Sequence, residues 1–466
     1  MGISVKNNIF KIDTTNTSYI FCVHRLGFLE SLYYGKRIKH YFDPKAFTEK
    51  NPVMTGVSVA YDRKVPSVCL DTICTEYSAV GKGDYKEPLA IIKNADGTYV
   101  NDFKYKSYKI LKGNINPEGN AASYGAKETL EIELADEYAG LAMYLYYAIY
   151  EDSDVITKAV KLFNKGKTSI NIERLLSGQV DLPFDDFSAI TFDGAWSRER
   201  FVNRRKLAQG IFINDSKMGV SSNRHNPLVV FPREECTQDN GECYAVNLIY
   251  SGNHYEAAEI SNYGKTRLLA GINPYCFNWT LGAGESFLTP EAVFTYSSEG
   301  LNGMSRNMHT FIGEHIVRGV WQKKERPIVI NSWEAMFFAL KEKDLVELAS
   351  LSAELGIELF VLDDGWFGKR DNDKTSLGDW FPHKKKFPEG MGKFADKIRA
   401  TGLEFGLWVE PEMINEKSEL YKAHPDWAVK IKGRTPSLGR NQLEIDYANP
   451  EVRDYIVEAL SKIFTD

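Results

Sequence analysis

Two hydrophobic periods divide the chain. Up to about residue 300 apolar and polar residues alternate in short runs, as in Thr129-Leu130-Glu131-Ile132-Glu133-Leu134. A period of two sets one face of a strand on a core and leaves the other in water. The run Met143-Tyr144-Leu145-Tyr146-Tyr147-Ala148-Ile149-Tyr150 is apolar and aromatic, the composition of a strand. Turn signals separate such runs: Asn94-Ala95-Asp96-Gly97, Asn164-Lys165-Gly166 and Asp239-Asn240-Gly241. Many short strands with frequent turns predict a large antiparallel sandwich over residues 1–300.

Past Leu301 the period becomes helical. Met304, Met308, Phe311, Ile312, His315 and Ile316 share a stripe, which predicts a helical linker over 301–325. His315 on that stripe reads as a packed histidine, because no second ligand stands at metal spacing. From Arg326 strands and helices alternate. Pro327–Ile330 is a first apolar strand ending at Asn331-Ser332-Trp333-Glu334. Leu345, Leu348, Ala349, Ser352 and Leu355 mark a helix, with Gly356 as its stop. Glu358–Leu362 is a second strand ending at Asp363-Asp364-Gly365-Trp366. A helix through Phe394, Ala395 and Ile398 ends at Gly402. Glu404–Val409 is a third strand ending at Glu410-Pro411-Glu412. Asn449 then caps a helix with Pro450 at its first position and Val452, Tyr455, Ile456, Ala459, Leu460, Ile463 and Phe464 on its apolar stripe.

Such βα units make a parallel sheet covered by helices. Polar and aromatic residues collect at the C-terminal ends of all three strands. That edge carries the ligand in a (β/α)₈ barrel and in a doubly wound sheet alike, so the pattern leaves both open. A barrel takes about 250 residues, and about 140 follow Arg326. Either the sheet is small and open or the chain is cut short, and the amphipathic helix on the last residues, with no strand after it to cover, favours the second.

Composition narrows the partners. Charged residues make up 26% of the 466 and the net charge is −6, with no basic run, so neither nucleic acid nor an anionic membrane is expected. Met1-Gly2-Ile3-Ser4-Val5-Lys6 has no signal-peptide pattern. Six scattered cysteines without a CxxC pair read as free thiols of a cytoplasmic protein. Aromatic residues reach 13%, and several stand beside carboxylates. Sugar sites use that mixture, with rings against C–H faces and acids against hydroxyls; most of these rings are nonetheless core.

Asp363-Asp364-Gly365-Trp366 is the sharpest motif. Two adjacent carboxylates at a strand end repel one another, a cost often tolerated for a ligand. Asp and Gly are also ordinary turn residues, so a capped turn competes evenly. In the functional reading the Trp walls the pocket. Glu410 and Glu412 after Trp408 have the types of a glycosidase pair. Arg440, in Ser437-Leu438-Gly439-Arg440-Asn441-Gln442, bonds a hydroxyl or a carboxylate, or is simply solvated. Asp371-Asn372-Asp373 starts like a calcium loop but has Ser376 and Pro382 where Gly and Glu are needed, and no metal site is expected.

Taken in order, these segments resemble glycoside hydrolase family 36, the microbial α-galactosidases. Asn331-Ser332-Trp333-Glu334, Val361 to Phe367, Gly378-Asp379-Trp380, Phe387-Pro388-Glu389-Gly390, Gly406 to Met413, His424-Pro425-Asp426-Trp427 and Ser437 to Gln442 all match. Upstream, Asp193 to Arg200 and Arg224-His225-Asn226-Pro227 match as well. The resemblance implies an antiparallel β-supersandwich (1–300), the helical linker (301–325), and an incomplete (β/α)₈ TIM barrel of about three units (326–466). It implies that Asp363 and Asp364 bind galactose hydroxyls, that Trp333 and Trp408 shape the pocket, and that Arg440 contacts the sugar or its acidic neighbours. The implied activity is retaining hydrolysis of terminal α-linked galactose from oligosaccharides such as melibiose or raffinose. No cofactor is implied, and a homo-oligomer, tetramers included, is.

The family's nucleophile stands in a Lys-Trp-Asp segment on strand four and its acid/base on strand six. No Lys-Trp-Asp occurs in the sequence. No catalytic residue is therefore expected within the chain, both catalytic Asp residues are expected beyond Asp466, and the 466 residues alone are expected to be inactive. The alternatives are an α-N-acetylgalactosaminidase or galactosyl transferase on the same barrel, or a non-catalytic sugar-binding protein.

Overall fold

The computed structural model describes residues 2–39, 46–48, 58–115 and 119–465. Met1 and Asp466, which bound the sequence reading, lie outside the described residues. The chain forms two compact units that divide between Gln322 and Lys323.

Among its described residues the first unit forms three sheets, each with antiparallel strand pairs. A ten-stranded sheet runs in the order Arg198–Lys206, Ser188–Ala195, Val229–Pro232, Cys243–Ile249, Glu291–Ser297, Val155–Asn164, Leu141–Tyr150, Glu128–Asp136 and Lys104–Lys112, with Ser286–Leu288 also on Val155–Asn164. A six-stranded sheet centres on Thr266–Ile272 and the long strand Ile170–Leu182, and Gly2–Lys6 to Leu29–Lys36 form a four-stranded meander. The alternation read at Thr129–Leu134 is real: Leu130, Ile132 and Leu134 are sealed in a core shared with Phe10, Leu176 and Leu268 from the other two sheets. Leu141–Tyr150 is covered on nearly every residue, which explains its unbroken apolar run. Gly97 and Gly241 take positive φ (82° and 95°) at the predicted turns, a conformation cheap only for glycine.

The core also holds a charged knot. Arg267 is 1% exposed and grips both carboxylate oxygens of Asp181 at 2.8 Å. It also meets Asp84 at 3.0 Å, and Lys86 lies 2.9 Å from Asp84. Two cations thus face two anions, and burial is tolerated because each charge is paired.

The predicted linker helix is Gly300–His315. It packs on the sandwich through Met304, Met308 and Phe311. Ile312, placed on that stripe by the sequence, is 40% exposed, because the covered face is narrower than the apolar one. His315 bonds the Tyr124 carbonyl and the Asp152 carboxylate. All six cysteines are free. Among the described residues, no helix is long and apolar enough to cross a membrane.

The second unit opens with three parallel strands, Val329–Asn331, Leu359–Leu362 and Glu404–Leu407, in that order. Helices Glu342–Glu354 and Met391–Arg399 connect them, and Pro450–Thr465 follows. Leu345, Ala349, Phe360, Phe394, Ile398, Val452 and Ile456 join one core. Leu355 (84% exposed) and Phe464 (60%) lie off that core, contrary to the helical stripes, since each stands in or beyond the last turn of its helix. Asn449 caps the last helix by accepting from the Glu451 N–H at 3.0 Å.

Candidate functional site

The loops after the three parallel strands are tied to one another at the strand ends. After the first strand, Asn331 turns its side chain outward and donates to Asp363 Oδ2 at 2.6 Å. Ser332 Oγ accepts from the Asp363 N–H at 3.0 Å. After the second strand, Gly365 has φ +106°, a conformation that L side chains rarely adopt. This turn ends the strand while burying Asp364 and Trp366. After the third strand the Trp408 N–H donates to Leu362 O at 2.9 Å, continuing the ladder one residue into the loop.

The two adjacent aspartates meet different environments, which settles how their repulsion is accommodated. Asp363 is half-buried and keeps the Asn331 amide and the Asp364 N–H as partners. Asp364 is 2% exposed and sits in the fork of Arg370, with Nε–Oδ1 at 2.8 Å and Nη2–Oδ2 at 2.7 Å. A bidentate pair of this kind fixes orientation as well as charge.

Trp366 does not wall a pocket. It is fully buried, and its indole N–H donates to Trp408 O at 2.9 Å. The sequence placed an aromatic beside the acids but did not reveal which way the turn sends it. Trp408 is half-buried and stacks on Phe367 at 6.4 Å between centroids. Trp333 begins a short helix, Trp333–Met336, and packs edge-on against Phe337 and Phe338. Its link to the aspartates is Asn331, whose Oδ1 accepts from the Trp333 N–H at 2.7 Å.

Arg440 stands exposed on a tight turn, and Arg440 and Asn441 both take positive φ (51° and 61°). Burial raises the Glu410 carboxyl above its ordinary value; Arg440 opposes the shift, Glu412 and Asp364 add to it, and the bond from Gln442 opposes it. Gln442 Nε2 donates to Glu410 at 3.1 Å. The structure thus gathers Asp363, Asp364 and Trp408, brings Arg440 to the group through Glu410, and leaves Trp333 at its side.

Three further groups escaped the sequence reading. Arg370 lies just before the calcium-like Asp371-Asn372-Asp373, and nothing in that local spacing marks it as the partner of Asp364. In the structure Asp371 pairs with Lys386 at 3.0 Å and Asp373 accepts from Asn441 Nδ2 at 3.1 Å, so the two serve different partners. Lys386 donates to Phe338 O, Gly365 O and Arg370 O within 3.0 Å, joining the loops after the first and second strands. Asn415 is 1% exposed, accepts from Arg370 Nη1 at 3.0 Å and donates to Asn441 O at 2.7 Å.

Known proteins resemble this chain in sequence and in fold. Residues 27–282 match the family model described as the glycosyl hydrolase family 36 N-terminal domain, and residues 286–466 match Melibiase. Alpha-galactosidase AgaA of Geobacillus stearothermophilus is 41% identical over 458 residues, 97% of this chain and 62% of its own length. Alpha-galactosidase 1 of Pediococcus pentosaceus is 38% identical over 462 residues, 98% of this chain and 63% of its own. The crystal structure of α-galactosidase AgaB from Geobacillus stearothermophilus matches with a TM-score of 0.96 at 40% identity, covering 100% of this chain and 64% of that one. A substituted AgaA solved in complex with raffinose matches with 0.95 at 40% identity, covering 98% and 64%. The chain therefore spans less than two thirds of the length of these relatives.

Proposed function

The chain belongs to glycoside hydrolase family 36, and from that premise we propose that the protein is a retaining α-galactosidase releasing terminal α-linked galactose from oligosaccharides such as raffinose. Relatives named α-galactosidase, one of them solved with raffinose, support the reading. The observation that carries it is the gathering of Asp363, Asp364 and Trp408 at the C-terminal ends of three parallel strands, the edge where barrel enzymes hold ligand.

In this reading Asp363 offers its more open carboxylate to galactose hydroxyls, and Asp364 offers whatever edge the Arg370 fork leaves free. Two forked bonds leave about half of a carboxylate's acceptor capacity. Trp408 and Trp333 give apolar surface for the sugar's C–H face, and Arg440 balances Glu410 at the rim. These residues grip the ring; retaining chemistry additionally needs one carboxylate as nucleophile and one as acid/base. The chain has no Lys-Trp-Asp segment to supply the first. A homo-oligomer in the cytoplasm completes the proposal, with the free cysteines as support for a reducing compartment.

The test is the product of the complete open reading frame, assayed with an aryl α-galactoside and with raffinose. Hydrolysis that falls at least about a hundredfold in Asp363→Asn and in Asp364→Asn is expected, as lost transition-state contacts require. No hydrolysis by the parent protein, or undiminished rates in both variants, would reject the assignment.

A further inference from the structure

Arg370 has no exposed surface, although arginine is seldom sealed completely. Each of its bonds goes to something that shapes the site. Nε and Nη2 clamp Asp364, and Nη1 donates to Thr375 O at 2.8 Å and to Asn415 Oδ1 at 3.0 Å. Phe338 and Phe367 flank the guanidinium, each ring centroid 5.6 Å from its central carbon. Asn415 extends the chain of contacts. Its Oδ1 also accepts from the Leu377 N–H at 2.9 Å, and its Nδ2 donates to Asn441 O at 2.7 Å. Asn441 is the second residue of the positive-φ turn whose first is Arg440. Two consecutive non-glycine residues in that conformation cost energy and persist where the surroundings hold them. The Asn415 amide is such a hold, because it bonds the turn's own carbonyl.

From this continuity we infer that Arg370 and Asn415 are positioning residues for sugar recognition: Arg370 aims the Asp364 carboxylate from behind, and Asn415 passes the same restraint to the turn that carries Arg440. The inference rests on the α-galactoside reading of the site. It adds that the acid from the second strand's loop and the cation from the third strand's loop are set by one shared brace. A hexose then meets both groups already placed, and binding loses no affinity to ordering them.

The brace can be cut at one arm without opening the core. Asn415→Asp keeps an acceptor for Arg370 and for the Leu377 N–H but sets a carboxylate oxygen against the Asn441 carbonyl. Arg370→Lys keeps the charge and surrenders the fork. Both are made in the product of the complete gene and measured for unfolding midpoint, for kcat and KM on an aryl α-galactoside, and for calorimetric affinity toward 1-deoxygalactonojirimycin. Both variants should raise KM and weaken the inhibitor about tenfold or more, with kcat changed less. In the Asn415→Asp background Arg440→Ala should add little further loss, and in the Arg370→Lys background Asp364→Asn should cost about tenfold less than it costs the parent enzyme, because coupled residues are not additive.

A purely structural role predicts lowered unfolding midpoints with KM and inhibitor affinity intact in the folded enzyme, and that result overturns the inference. So does full additivity in both pairs of double variants. If Arg370→Lys does not fold, Asn415→Asp with its Arg440 partner decides alone. A parent protein that neither cleaves the galactoside nor binds the inhibitor removes the enzyme assignment itself, and this inference goes with it.

Discussion

Trp366→Phe tests whether buried structure or exposed rim governs this site. The indole is fully buried and its N–H satisfies the Trp408 carbonyl at 2.9 Å. Phenylalanine leaves that carbonyl without its donor, a loss of about 1–3 kcal/mol for a buried polar group. It also removes one of two fused rings from a packed core, worth about 1–2 kcal/mol when neighbours relax only in part. Phe367 and Trp380 lie against the same ring, at 5.3 and 6.2 Å between centroids, so relaxation has little room. The sum is about 3 kcal/mol, a large share of the roughly 5–15 kcal/mol that holds a domain folded. The assay, on the product of the complete gene, is urea unfolding followed by circular dichroism, with galactoside KM measured alongside. A drop in unfolding free energy together with a raised KM is expected, because the bond to its carbonyl anchors Trp408, the residue proposed to shape the pocket. A loss below about 1 kcal/mol with unchanged KM would refute the claim that this hydrogen bond sets the position of Trp408.

Three other outcomes follow from the geometry. His254 Nδ1 and Glu256 Oε2 lie 2.8 Å apart in the sandwich core, with His254 Nε2 on the His225 carbonyl. Burial, opposed by the bond from His254, pushes the Glu256 carboxyl up to about 7 from 4.5; burial lowers His254, but the bond and charge of Glu256 and the bond to the His225 carbonyl together raise it. Both groups hold their proton more tightly when folded, so this pair's stabilisation is complete below about pH 4.5 and is lost as pH rises through about 7. The melting temperature should fall across that interval, and Glu256→Gln should flatten the decline. Gly271→Ala would set a Cβ 2.6 Å from Leu176 Cα and 2.7 Å from Ser177 N, both backbone-bound. Calorimetry should show a loss of about 2 kcal/mol or more, or a protein that does not fold. Asn449→Ala removes the cap on the Glu451 N–H and should cost about 1 kcal/mol in denaturant titration.

The legible parts of the sequence were those governed by local period. Alternation marked the sandwich strands, and the three βα units stand where the periods place them, with strands one or two residues shorter than the apolar runs. Helix stripes misled at their ends, at Ile312, Leu355 and Phe464, because a stripe records which residues are apolar and not how far the neighbouring surface extends. In the candidate site the motif acids were visible because they cluster at strand ends. What organises them was not. Arg370 reaches Asn415, 45 positions away, and Asn415 reaches Asn441, 26 positions on, and no periodicity encodes such pairings. The burial of Trp366 was equally silent, since it depends on the positive φ of Gly365 and not on the tryptophan itself.

The knot of Arg267, Asp181, Asp84 and Lys86 bears on how the sandwich can change over generations. Four charges sealed from water make single steps costly: losing Arg267 strands Asp181, and losing Asp84 takes the 2.9 Å partner from Lys86, at about 3–5 kcal/mol. Replacing all four with apolar residues of similar bulk is open to design, but a lineage accumulating one substitution at a time passes through intermediates that have lost a large share of the roughly 5–15 kcal/mol holding a domain folded. These positions should therefore stay frozen while the strand surfaces around them drift, and libraries meant to diversify this domain should vary the four together or leave them alone.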